Sequence, residues 1–327
     1  MADSSFRKTV LLIGRPSDPH LTALKQALQD RAVRVLHVDN RKQVQVSLRP
    51  EAPLSSTIQG VEGTWCAGVY VRALPPRQFP NPAQRDRQAL SRKDALAETR
   101  AGQALRDPLC AILEVWANQG VTVLNPPRAG EMIENKPLQL MTASEIGLDI
   151  PKTLITADMK DLSDWYTSEL SPQTSLISKP VRGGDYTQTF PMPPQKEPPS
   201  SSSIYQEFVT GQHIRVLMLN GDVISAHGLV GVGGADHRAD PNYQSGSFSY
   251  EHVAPPEILV THLKQLQRRL DLPFCGFDLI AEDHGNHKRW VFLEANGAPI
   301  YLESETRLGH PLTERLAATL VGEATMP

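Results

Sequence analysis

Apolar residues fall in short runs separated by polar, proline- and glycine-rich stretches, the spacing of a chain that alternates strands and helices. Thr9–Ile13 predicts a first strand, and Leu21, Leu24 and Leu28 share one face of a helix over 20–30. Val33–Val38 and Gly68–Val71 predict two more strands. The charged stretch 84–106 reads as a solvated helix or a mobile loop. Ala111–Gln119 is amphipathic and helical, Gly120 stops it, and Val121–Leu124 follows as a strand. This alternation predicts an α/β fold whose first part, 1–124, is a small, mostly parallel sheet.

Asn125-Pro126-Pro127 breaks the pattern. A helix is then expected over 135–147, with Asn135 as its cap, Pro137 in the first turn and Gly147 at its end. Strands follow at 151–155, 175–181, 204–209, 214–219 and 223–229, and Asn220-Gly221 marks a tight hairpin between the last two. The proline- and serine-rich run 191–203 predicts an exposed loop. Gly231–Gly234 leads into a polar loop, 257–270 reads as a helix, and a last hairpin and helix occupy 274–321. The expected parts are 1–124, 125–205 and 206–327, with no internal repeat.

Composition narrows the function classes. With 327 residues, 40% hydrophobic, and a formal net charge of -3, the chain lacks the basic excess that nucleic acid demands. The apolar run Val10–Ile13 is far short of the roughly 18 residues that span a bilayer. Cys66, Cys110 and Cys275 are scattered with no Cys-x-x-Cys pair, as in the core of a reduced protein, so a cytoplasmic location is expected, without nucleic acid or membrane.

The last hairpin carries the most specific chemistry. Glu294 and Asn296 are two apart and share a strand face; a turn centred on Asn286 sets Asp278 opposite Glu294. Two carboxylates and an amide converging on an apolar hairpin suit a hard cation such as magnesium. The competing reading is the wet side of an edge hairpin, against which Ile280 and Phe292 are expected on the same face. Lys179 lies in an apolar strand just before Gly183-Gly184, and Lys136 opens a helix, where anions are favoured. Taken singly, each lysine reads first as a solvated cation. Gln206-Glu207-Phe208-Val209 offers an acid at a strand end and backbone groups suited to an adenine and a ribose. Arg215 sits inside a strand, where a guanidinium needs a phosphate or carboxylate. Asp236 and Arg238 form either a surface ion pair or a substrate contact. His284 and His287 read as solvated turn residues, and Gly231-Val232-Gly233-Gly234 is no dinucleotide fingerprint, since no helix follows it.

In this order the segments resemble the ATP-grasp carboxylate–amine ligases: Asn135-Lys136, Gly147–Thr153, Lys179-Pro180, Gln206–Val209, His213-Ile214-Arg215, Gly276-Phe277-Asp278 and Phe292–Asn296. The resemblance covers about 125–320 and implies a two-part ATP-grasp fold behind the N-terminal α/β unit. It implies that Lys136, Lys179, Gly183 and Gly184 meet the phosphates of ATP, and that Gln206, Glu207, Phe208 and Val209 hold the adenosine. Asp278, Glu294 and Asn296 would hold magnesium, and Arg215 and Arg238 would steady the reacting acyl group. Within the family the chain is similar to the ribosomal-protein glutamate ligases and to the graspetide (microviridin-type) ligases. The second likeness rests on Asp236-His237-Arg238, Pro255–Ile258 and Val69-Tyr70-Val71-Arg72. It departs from the first in its brief Arg182–Tyr186 loop and from the second in Ala73-Leu74 after Arg72. The implied activity is ADP-forming activation of a carboxylate, on a peptide or protein, and its coupling to an amine or hydroxyl. A homodimer is compatible with it. A non-catalytic nucleotide-binding module and a small-molecule kinase are the alternatives.

Overall fold

The structure is a computed structural model that describes residues 8–77, 92–182, 187–191, 201–235, 237–285 and 287–323. It divides into two compact units.

The first unit is built on a parallel sheet. Strands β1 (Thr9–Gly14) and β2 (Arg34–Asp39) flank helix α1 (Pro19–Asp30); short β3 (Val46–Ser47), β4 (Thr57–Ile58) and β5 (Val61–Glu62) form a side sheet. β6 (Cys66–Val71), α2 (Arg92–Asn118) and β7 (Thr122–Leu124) complete it, with strand order β2-β1-β6-β7, all parallel. β1 is buried along its whole length, because helices cover both faces of a parallel sheet and an unbroken apolar run is what survives there. Cys66 is buried in the same core. The stretch read as a solvated helix or loop belongs from Arg92 to the long α2; the large apolar side chains buried along it among the described residues, Leu109, Ile112, Leu113 and Trp116, lie beyond that stretch. The C-terminal helix Leu312–Val321 also packs in this unit, although the sequence reading assigned it to the 206–327 part. Gly68 admits the Leu320 carbonyl, a place any Cβ would occupy.

The second unit opens on α3 (Pro127–Glu134), which the sequence reading missed, and α4 (Lys136–Ile146), capped by Asn135 as expected. β8 (Thr153–Thr156), the unanticipated α5 (Met159–Glu169), β9 (Leu176–Pro180), β10 (Gln188–Phe190) and β11 (Ser203–Glu207) form an antiparallel sheet of order β10-β9-β11-β8. A second antiparallel sheet follows: β12 (Gln212–Leu219), β13 (Asp222–Val230), β14 (Ser249–His252), β15 (Phe274–Asp283) and β16 (Lys288–Asn296), ordered β14-β13-β12-β15-β16. Short α6 (Pro241–Ser245) and amphipathic α7 (Glu257–Arg269) lie between these strands in sequence, and α8 (Leu302–Leu308) follows them. Asn220 and Gly221 both take positive φ, the two-residue turn their chemistry favours.

One face of the five-stranded sheet is dry. Ile214, Val216, Met218, Phe277, Leu279, Ala281, Phe292 and Ala295 pack there with Leu140 and Ala143 of α4 and Leu259, Leu263 and Leu266 of α7. Strand alternation therefore sends Arg215 and Asp278 to the opposite face. Among the described residues no helix is long and apolar enough to cross a membrane.

Candidate active site

β15 and β16 pair with Asp278 opposite Glu294, as expected, but by a different route. From Asp283–Lys288 to Leu279–Phe292 the register is centred half a residue earlier than Asn286, and a bulge at Leu293 restores it. The bulge also turns Phe292 to the dry face, correcting the expectation that it joins Ile280; Val291 and Leu293 pack with Ile280 and Val209 instead. At this irregularity the outer edge of β16 is held by other partners: Phe292 N–H donates to the Asp149 carbonyl (2.7 Å) and Ala295 N–H to Gln139 Oε1 (2.7 Å). These two edge donors are thereby satisfied within the chain.

On the open face the charges interlock. Arg215 grips Asp278 in a two-pronged pair, Nε to Oδ1 at 2.7 Å and Nη2 to Oδ2 at 3.1 Å. Asn296 Nδ2 donates to Asp278 Oδ2 at 2.7 Å, and Lys136 Nζ lies 3.3 Å from Glu294 Oε2. Burial works against the Arg215 charge, but the attraction of Asp278 and its hydrogen bonds more than offset this and raise its pKa. Lys179, 8% exposed on β9, is held down to about 8, first by burial and then by Lys136, against the pull of Glu294 and Asp278. Both lysines, Arg215, Asp278, Glu294 and Asn296 thus form one electrostatic cluster. Lys136, Arg215, Asp278, Glu294 and Asn296 are part-buried and joined to one another, an arrangement that a solvated edge does not require.

Among the described residues no three His, Cys, Asp or Glu side chains form a metal cluster. The trio offers two carboxylates and an amide, an all-oxygen set that fits magnesium. Gln206 is fully buried; its Nε2 donates to Thr153 Oγ1 (2.8 Å), while its Oε1 has no partner among the described residues. Glu207 Oε1 accepts the Lys152 N–H (3.0 Å), so this acid first of all joins β11 to the start of β8. The Phe208 N–H is donated to the Ser175 carbonyl (2.8 Å) and is not available to a ligand. Val209 is buried beside Ile280. Arg238 is exposed in a short turn, its carbonyl accepting from Gln244 Nε2. Gly183, Gly184 and Asp236 lie outside the described residues.

The polar face extends onto β13 and β14, where the sequence alone singled out no functional residue. His227 stands opposite Arg215, and His252 opposite His227, so one row runs Glu294, Asp278, Arg215, His227, His252 across all five strands. Ser225 and His227, two polar residues alternating with apolar ones inside a strand, were the available signal.

The fold, with two antiparallel sheets in one unit and a parallel sheet in the other, matches that of solved ATP-grasp ligases. No protein-family profile matches the sequence, and no curated protein does. Solved structures do match. The ATP-grasp ligase PsnB, complexed with a phosphomimetic variant of its minimal precursor, Mg and ADP, superposes with a TM-score of 0.77 at 22% identity, over 97% of this chain and 99% of that one. The macrocyclase MdnC of Microcystis aeruginosa MRC, bound to precursor peptide MdnA, gives 0.71 at 16% identity over 96% and 100%. A RimK-domain ATP-grasp protein of Sphaerobacter thermophilus gives 0.56 at 13% identity over 96% and 100%.

Proposed function

We propose that this chain is an ATP-dependent ligase that activates a side-chain carboxylate of a peptide as an acyl-phosphate and couples it to an amine or hydroxyl. The observation that carries this reading is the part-buried cluster of Lys136, Lys179, Arg215, Asp278 and Glu294, in which cations exceed carboxylates. Such an excess is relieved by an anion of high charge density, and a triphosphate is one. The end-to-end likeness to two peptide-bound ligases, at higher TM-scores than to the RimK-domain protein, favours a peptide as substrate.

In this reading Lys136 and Lys179 bind the phosphate oxygens, helped by the N-terminus of α4 and by Gly183 and Gly184. Gln206 Oε1 accepts from the exocyclic amine of adenine, and Glu207 and the backbone at Phe208 and Val209 line the adenosine. Asp278, Glu294 and the carbonyl oxygen of Asn296 hold magnesium, which when bound neutralises charge on the transferring phosphoryl group. Arg215, fixed by Asp278, faces the carboxylate as it attacks and then the oxyanion of the tetrahedral stage, with Arg238 approaching from the loop. Orientation by these residues does most of the work, so no nucleophilic side chain is needed.

The test is mass spectrometry of peptides rich in Thr, Ser, Lys, Asp and Glu after incubation with the chain, ATP and magnesium. Loss of one water per bond formed, with matching ADP release, is the expected result. A mass gain of an amino-acid residue would replace crosslinking by amino-acid addition. A stable phosphopeptide would make the chain a kinase, and nucleotide binding without ADP release would make it a regulatory module.

A further inference from the structure

The polar row continues past Arg215 into a hydrogen-bonded chain. His227 is 2% exposed, and its Nδ1 lies 3.2 Å from Ser225 Oγ. The same hydroxyl, also buried, lies 2.9 Å from Nδ1 of His310, which follows α8 and is only half-buried. The His310 ring in turn packs 4.8 Å from that of His252. A serine hydroxyl has one proton, so it donates to one imidazole and accepts from the other. That makes the three groups a directed chain from beside Arg215 to the half-buried His310.

We propose that His227, Ser225 and His310 form a relay that carries the proton of the attacking amine or hydroxyl out of the acyl-transfer site; this rests on the ligase reading above. When the nucleophile attacks the acyl-phosphate carbon, the new C–N or C–O bond forms. The C–O bond to phosphorus-bound oxygen breaks, and phosphate leaves with the electron pair. The nucleophile's proton goes to Nε2 of His227, the Nδ1 proton of His227 to Ser225 Oγ, and the Ser225 proton to Nδ1 of His310. His310 then gives its Nε2 proton to water. Each group ends with the charge it began with, and no other reactant is required.

Burial first, then the charges of Arg215 and His310, hold the His227 pKa at about 4. A base that weak cannot keep a proton at neutral pH, which is why it must pass one on. The groups facing it are Arg215 on β12, Ser225 on its own strand, His252 and the edge-on ring of Tyr250 (4.9 Å) on β14, and His310, with Asp278 beyond Arg215. His310 faces Ser225 and His252, and it reaches solvent.

The test compares wild type, Ser225→Ala and Ser225→Thr on a peptide the wild type crosslinks, and again with hydroxylamine as nucleophile, a reagent that attacks without a base. Ser225→Ala is expected to slow crosslinking by about tenfold or more, a modest share of general-base catalysis. Ser225→Thr should restore it, and hydroxamate formation should stay at the wild-type rate in both. The solvent deuterium isotope effect on crosslinking should change in Ser225→Ala and return in Ser225→Thr. Unchanged crosslinking in Ser225→Ala, an equal fall in both products, or failure of threonine to rescue would overturn the relay. A wild-type protein that forms neither product overturns the ligase reading itself, and the relay with it.

Discussion

Two charge clusters, one in each unit, differ in whether they close on themselves. In the first unit Arg72 Nε donates to Asp18 Oδ2 at 3.0 Å, and His20 Nδ1 lies 3.1 Å from Asp18 Oδ1. His20 Nε2 accepts the Tyr301 N–H at 3.2 Å, so Nδ1 carries the proton, and burial followed by Arg72 lowers its pKa to keep it neutral. Arg72 and Asp18 are one cation and one anion, and their charges cancel. In the second unit the carboxylates that Lys136, Lys179 and Arg215 meet among the described residues are Asp278 and Glu294. Part-buried charge that is balanced is costly to break by removing one partner. Part-buried charge left in excess suits a ligand of the opposite sign.

The largest expected effect breaks the second cluster alone. Asp278→Asn or Glu294→Gln should lower peptide-dependent ADP release by about a thousandfold, since a lost metal contact removes several kcal/mol of charge stabilisation. Near-normal ADP release in either variant would end the metal assignment. Next, Arg72→Met should cost about 3 kcal/mol in urea unfolding while leaving nucleotide affinity unchanged, as expected when a paired, mostly buried carboxylate loses its partner. A loss of nucleotide affinity without loss of stability would erase the contrast between the clusters.

Lys179→Met should act in the opposite sense, weakening nucleotide binding without loss of stability. Its folded pKa of about 8 lies below the ordinary 10.5, so the unfolded chain holds the proton more tightly between those values. Wild-type stability should therefore rise relative to Lys179→Met as pH climbs through that window, and a flat difference would remove the burial argument. The smallest effect belongs to Arg182, half-exposed against Glu131 (2.9 Å) and Glu134 (2.8 Å). Arg182→Ala should change stability by less than about 1 kcal/mol by the same unfolding measurement.

Much of this was legible in the residues. Period-two alternation and Asn220-Gly221 located β12, β13 and the last hairpin, and Asn135 announced α4. Asp278 opposite Glu294 followed from counting about a turn, although a shifted turn and a bulge compensated each other. Bulges leave little trace in one sequence, which is why the facing of Phe292 was wrong. Helix α5 was hidden because only Leu162 is buried along it, leaving its apolar period thin. Arg215 was visible as a charge in an apolar strand. His227 carried the same signal, but its neutral side chain raised no question of a missing partner. The tie of Glu207 to Lys152 depends on two strands meeting, which no local pattern encodes.

The central claim is tested most directly by calorimetric titration of wild type and Lys179→Met with magnesium and a non-hydrolysable ATP analogue, across the pH at which Lys179 loses its proton, about 8. Below that pH the wild type should bind tightly; above it, affinity should fall by up to about tenfold per pH unit, with a proton taken up on binding. Lys179→Met should bind more weakly, with no such fall. A wild type that does not bind the nucleotide, or a Lys179→Met variant with wild-type affinity and the same pH dependence, would contradict the account.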